Sequence, residues 1–112
     1  MTRVVLNRRL ALETRLRSSD GAGGFEETWS QLGELWAQVK PRSGRYANAT
    51  DGALSVTGFR ITVRAAPVGQ TNRPEPGQRF RMGSRYFRIE AVTEHEPTGL
   101  YLQCQCEEEM FA

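Results

Sequence analysis

One histidine (His95), one lysine (Lys40) and two cysteines (Cys104 and Cys106) are all that this chain of 112 residues carries of three side chains central to catalysis and metal binding. His95 sits between Glu94 and Glu96 in a proline-glycine turn, the setting of an exposed loop residue rather than of a general base. Cys104-Gln105-Cys106 with a single distant histidine offers at most three soft ligands, short of a structural zinc site. Two cysteines make no disulfide framework, and two residues apart on a strand their α-carbons lie about 6.5–7 Å apart, at or beyond the reach of a relaxed disulfide. Both are therefore expected as buried free thiols. Gly21-Ala22-Gly23-Gly24 lacks the lysine and helix of a phosphate loop, and no G-x-S-x-G elbow occurs. The chain is expected to be no enzyme and to bind neither cofactor nor metal.

Long apolar runs are also missing. None approaches the roughly 18–20 residues of a spanning helix, and Met1–Arg9 holds Arg3, Arg8 and Arg9 but no signal-peptide core, so no membrane partner and a cytoplasmic site of assembly are expected. The length suits one domain, residues 1–112, with one core. Apolar residues make up 38%, including five Phe, three Tyr and two Trp, which is low for a globular chain but too rich in large side chains for a disordered one. The net charge is +2, with acidic residues interleaved among the basic ones, and that argues against a dedicated nucleic-acid binder, whose affinity grows with the phosphates it neutralises. All basic residues but Lys40 are arginine, a bias that either reflects genome composition or serves bidentate contacts at interfaces.

What is present is alternation. Leu10, Leu12, Thr14 and Leu16 alternate with Arg9, Ala11, Glu13, Arg15 and Arg17, a half-buried strand, and SSDGAGG (residues 18–24) follows as a flexible turn. In residues 25–41 the two tryptophans lie seven apart, a helical spacing, yet Leu35, Ala37 and Val39 alternate up to Pro41; a strand is expected over residues 32–40, with an α+β fold as the alternative if residues 25–36 were helical. Trp36 then faces away from Ala37 and Val39, covered by a subunit neighbour or by a second layer of the same barrel. Residues 41–53 form a long excursion with three turn-prone spots. Phe59, Ile61 and Val63 mark a strand that residues 54–58 extend backwards, and residues 65–78, rich in proline, form a second long loop. Residues 78–82 and 86–92 make a hairpin around Gly83-Ser84. Leu100, Leu102, Cys104 and Cys106 line one face of a last strand, and EEEMFA is expected to fray or dock elsewhere. These six segments predict an all-β fold, a small antiparallel barrel or sandwich with long loops.

The order of the segments, LNRRLALETR, DGAGGFEETW, WAQVKP, SGR, FRITVR, RFRMGSRYFRIEAV and LYLQCQCEE, resembles the phage head-tail joining, or head-closure (stopper), family, which also occurs in gene transfer agents. After SGR the family often carries a Glu and a helix-like run, where this chain has Tyr46-Ala47-Asn48-Ala49-Thr50. The resemblance implies a virion protein that joins copies of itself in a ring beneath a portal or adaptor protein. The ring would continue the channel for double-stranded DNA without sequence specificity, help retain packaged DNA and dock a tail protein. It makes Arg42, Arg45, Tyr46, Asn48 and Asp51 candidate channel-loop residues, the loop serving as gate or as docking surface. Trp29, Trp36, Tyr86 and Tyr101 are candidate interface residues. Two other readings stand beside this one: a tail-terminator subunit, and a small OB-like nucleic-acid-binding module, whose mark would be Tyr86, Arg88 and Tyr101 converging on one strand face.

Overall fold

Each alternating segment becomes a strand in the computed structural model, which describes residues 3–42, 58–95 and 99–109. The strands are β1 (Arg8–Ser19), β2 (Phe25–Pro41), β3 (Gly58–Arg64), β4 (Arg79–Met82), β5 (Arg85–His95) and β6 (Tyr101–Glu109). All neighbours are antiparallel, and the order β1-β2-β3-β6-β5-β4 closes on itself as a barrel. The closing seam is short: Ala11, Leu12 and Glu13 of β1 pair with Arg81, Phe80 and Arg79 of β4. The all-β expectation holds, and no helix is formed among the described residues, so the α+β alternative falls.

The inward residues fill the barrel. Leu10, Leu12, Ala37, Ile61, Val63, Phe80, Phe87, Ile89, Leu102, Cys104 and Cys106 are each at most 1% exposed and form one cluster, as small barrels pack their interiors with side chains. The proline-rich connection after β3 is stitched down by turns, Gln70 N to Pro67 O at 3.2 Å and Arg73 N to Gln70 O at 3.1 Å, and Pro74 is fully buried. Gly83, at φ +63°, supplies the left-handed first position of the two-residue β4–β5 turn.

Two expectations change. The strand predicted over residues 32–40 begins already at Phe25, because residues 25–31 pair with Ser19 back to Glu13 of β1. A bulge at Leu32 shifts the register, so that Trp29 lies opposite Arg15 and Trp36 opposite Arg9, on the same face of the sheet. An odd spacing of seven that looked helical is therefore a strand with one extra residue. Leu100, predicted inward with Leu102, precedes β6 and is 56% exposed, and Glu107–Glu109, expected to fray or dock elsewhere, complete β6 against Arg88, Phe87 and Tyr86. The predicted backward extension of β3 (residues 54–57) lies outside the described residues.

Because β1 meets β4 only at Ala11–Glu13 and β2 meets β3 only at Ala37–Pro41, the segments Thr14–Ser19 and Phe25–Ser30 pair with each other and with no other described strand. They form a two-stranded arm leaving the barrel at the end of β2 opposite Pro41. Its tip is closed: the Asp20 carboxylate accepts from the amides of Ala22 (2.8 Å) and Gly24 (3.0 Å), with Gly21 and Gly23 at positive φ.

Candidate functional site

Where the arm joins the wall, β1 and β4 bring three charged side chains together. Glu13 accepts from Arg79 Nε at 2.7 Å and from Arg81 Nε at 3.1 Å, its side chain 11% exposed and that of Arg79 13%. The Arg79 guanidinium lies 4.0 Å from the Trp29 ring centre and 4.2 Å from that of Tyr86, held between an arm residue and a wall residue. Along the same face of the arm, Arg15 stacks on Trp29 (5.9 Å) and pairs with Glu27 (3.2 Å), and Arg17 stacks on Phe25 (4.5 Å). Alternating aromatic rings and guanidinium groups thus run from the wall to the arm's end. Each such contact contributes about 0.5–1 kcal/mol at exposed sites and more where water is excluded.

A second clamp fixes the β4–β5 turn to β6. Arg85 donates both Nε (2.8 Å) and Nη2 (2.9 Å) to Glu108 and lies over Phe87 (5.0 Å) and Phe59 (5.5 Å), which themselves meet edge to face at 5.2 Å. These hydrogen bonds hold the Glu108 carboxyl below the usual carboxylate range and raise the Arg85 guanidinium. Arg42 pairs with Glu107, and its amide donates to Gly58 O at 3.0 Å, tying together the two ends of the connection between β2 and β3. A β-carbon at Gly58 would stand 2.6 Å from Arg42 Nε, so glycine leaves room for this tie.

The candidate residues are thereby dispersed. Arg42 belongs to the tie just described; Arg45, Tyr46, Asn48 and Asp51 lie outside the described residues. Trp29 and Tyr86 flank Arg79, while Trp36 is 55% exposed and lines an open groove of about 260 Å³ with Leu6, Glu34, Leu35, Arg64, Ala65 and Asn72. Tyr101 is half-buried opposite Arg64 and His95. The convergence that an OB-like binding face needs does not form: Tyr86 faces Glu109 and Tyr101 faces His95, at opposite ends of the β5–β6 ladder, and Arg88 is paired with Glu90 at 3.1 Å. Sequence reasoning missed Glu13, Arg79, Arg81, Arg85 and Glu108. The one available signal was Arg79 and Arg81 straddling Phe80, two cations on one strand face.

Cys104 and Cys106 are buried free thiols. Burial pushes the Cys104 thiol up to about 12, against a smaller opposing pull from Arg73, and raises Cys106 further still. Among the described residues no group of three or more His, Cys, Asp or Glu side chains could hold a metal ion, and no helix is long and apolar enough to cross a membrane.

What these residues build is framework: a filled barrel, clamps that set the angles of wall and arm, and a projecting hairpin, the make-up of a small structural β-barrel subunit. The family model for phage head completion protein matches residues 1–109, and the chain belongs to that family; its role in head completion is structural. A chain in the virion of a native gene transfer agent particle is 48% identical, with 96% of this chain and 98% of that chain covered and a TM-score of 0.77. Protein SF1141 from Shigella flexneri 2a, 21% identical over 96% of each chain with a TM-score of 0.63, shares the fold. No curated protein matches the chain.

Proposed function

We propose that the chain is a head-closure subunit whose copies form a ring beneath the portal or adaptor, continue the DNA channel and present a surface to the tail. The observation that carries this reading is the filled barrel interior. A barrel whose lumen is packed with side chains passes nothing, so a conduit in a head-completion protein must run between copies, around the axis of a ring. The mixed charge of the outer wall suits such a conduit, since a surface neutralising many phosphates would hold DNA rather than let it slide. The likeness to a chain of a gene transfer agent virion supports either a phage or a gene transfer agent as the setting.

The test is to make particles without this chain. Heads should fill with DNA, leak it on purification and fail to take tails, and adding the purified chain should restore both retention and attachment. Tailed, DNA-retaining particles formed without it would refute the reading. Deleting residues 46–51, between β2 and β3, then separates two roles for that segment. Leakage with tails still able to attach assigns it to gating, and normal retention with failed attachment assigns it to docking.

A further inference from the structure

The arm has two unlike faces. One carries the ladder of Arg15, Arg17, Phe25 and Trp29; the other presents Leu16 beside Thr28 and Ser18 beside Glu26. Leu16 is half exposed and Glu26 makes no ion pair with any described residue. An isolated two-stranded hairpin is marginal in water, so this second face is the part of the arm that lacks support.

A complementary surface lies on the barrel wall. Lys40 of β2 is directly opposite Arg60 of β3, and Arg64 projects from the same face of β3; all three are exposed. None makes an ion pair with a described residue; of the other described arginines, Arg9, Arg15, Arg42, Arg79, Arg81, Arg85 and Arg88 do, and Arg3, Arg8, Arg17 and Arg73 do not. Like charges directly across a ladder destabilise it, and here no acidic partner among the described residues offsets them. Roughly 45 Å of extended strand separates Glu26 from Lys40 on β2, so the arm of one copy cannot reach its own wall.

We infer that the arm of each copy lays its Leu16–Glu26 face on the Lys40–Arg60 wall of the next copy. This rests on the ring reading above and names the surfaces that would make the ring. The contact is heterologous, joining two different patches, which is the kind that closes rings. It brings Glu26 to Lys40, Arg60 and Arg64, all without an ion-pair partner among the described residues, and covers the apolar Leu16. A second copy fits the arm better than DNA does, because the arm's free charge on that face is negative and would repel phosphate.

The test crosslinks copies within assembled particles. Full-length chain carrying both Thr28→Cys on the arm and Gln105→Cys on the wall, opposite Arg60, is incorporated and treated with a short bismaleimide. The native thiols, fully buried, keep the background low. Most of the doubly substituted chain should run as multimers, and each single variant as monomer. Separately, Glu26→Arg should lower incorporation at least tenfold, and adding Lys40→Glu with Arg60→Glu should restore it. A doubly substituted chain that enters particles yet stays monomeric, or Glu26→Arg incorporated like wild type, would overturn the inference while leaving head completion intact. Leakage of DNA from Arg60→Glu particles without crosslinks would instead assign the wall to DNA. Absence of the wild-type chain from particles would sink the head-completion reading and this contact with it.

Discussion

β1 and β2 each run through two environments, and the contrast shows what holds each part of the molecule together. Within the barrel, Leu10, Leu12 and Ala37 are at most 1% exposed, and the strands are supported on both edges by β3 and β4. In the arm built from the same two strands, Leu16 is 50% and Phe25 62% exposed, and each strand has only the other as a neighbour among the described residues. The barrel is held by apolar burial, at about 25 cal/mol per Å² removed from water. The arm is held by side-chain pairs on one face and by the Glu13–Arg79–Arg81 clamp at its root. Stability should therefore be uneven: amides of the arm should open at a small fraction of the global unfolding free energy, those of Leu10–Leu12 only with it.

Breaking the barrel should have the largest effect. Phe87→Ala or Phe80→Ala removes a fully buried ring and should cost about 3–5 kcal/mol in urea unfolding, enough to melt arm and barrel together. Changing both Cys104 and Cys106 to Ser places hydroxyls in the same core and should cost on the order of 1–3 kcal/mol per unsatisfied group, with Ala or Val costing less. Both native thiols should resist alkylation until the protein unfolds, as buried thiols held far above the usual range do.

Loosening the arm alone sharpens the comparison. Glu13→Gln weakens both arginine contacts at the root and should cost roughly 1–2 kcal/mol. In hydrogen exchange, residues 14–19 and 25–30 should lose protection while β3 and β6 keep theirs; equal loss everywhere would mean that the clamp belongs to the barrel.

Acid separates the parts differently. Glu108 has its carboxyl lowered from 4.5 by the Arg85 hydrogen bonds, so that clamp stabilises the fold in full above pH 4.5 and is lost as pH falls through the lowered value. The melting temperature should drop over that window, and less so in Glu108→Gln. The smallest effect belongs to Asp20→Ala, which removes the tip's acceptor for Ala22 and Gly24. Those two amides should exchange faster with the melting temperature unchanged.

Much of the barrel was legible in the sequence, because a period of two with one apolar face reports burial directly: Ile61 and Val63, Phe87 and Ile89, and Leu102, Cys104 and Cys106 all point inward as read. The same rule failed where burial ends before the pattern does. Leu16 continues the alternation of Leu10 and Leu12 but lies beyond the barrel, and Leu100 precedes the strand that Leu102 belongs to. The first half of β2 was hidden by the bulge at Leu32, which breaks the period without breaking the strand. The clamps were hidden for another reason: Glu13 meets Arg79 only because β1 closes on β4, a pairing across more than half the chain that no local pattern encodes.

Electron microscopy of purified particles, with this chain tagged, tests the account most directly. It predicts a closed ring of barrels below the head, each barrel solid, the opening between them on the axis, and each arm lying on the wall of the next copy. A particle in which the chain is absent, or present without a ring, would contradict the account.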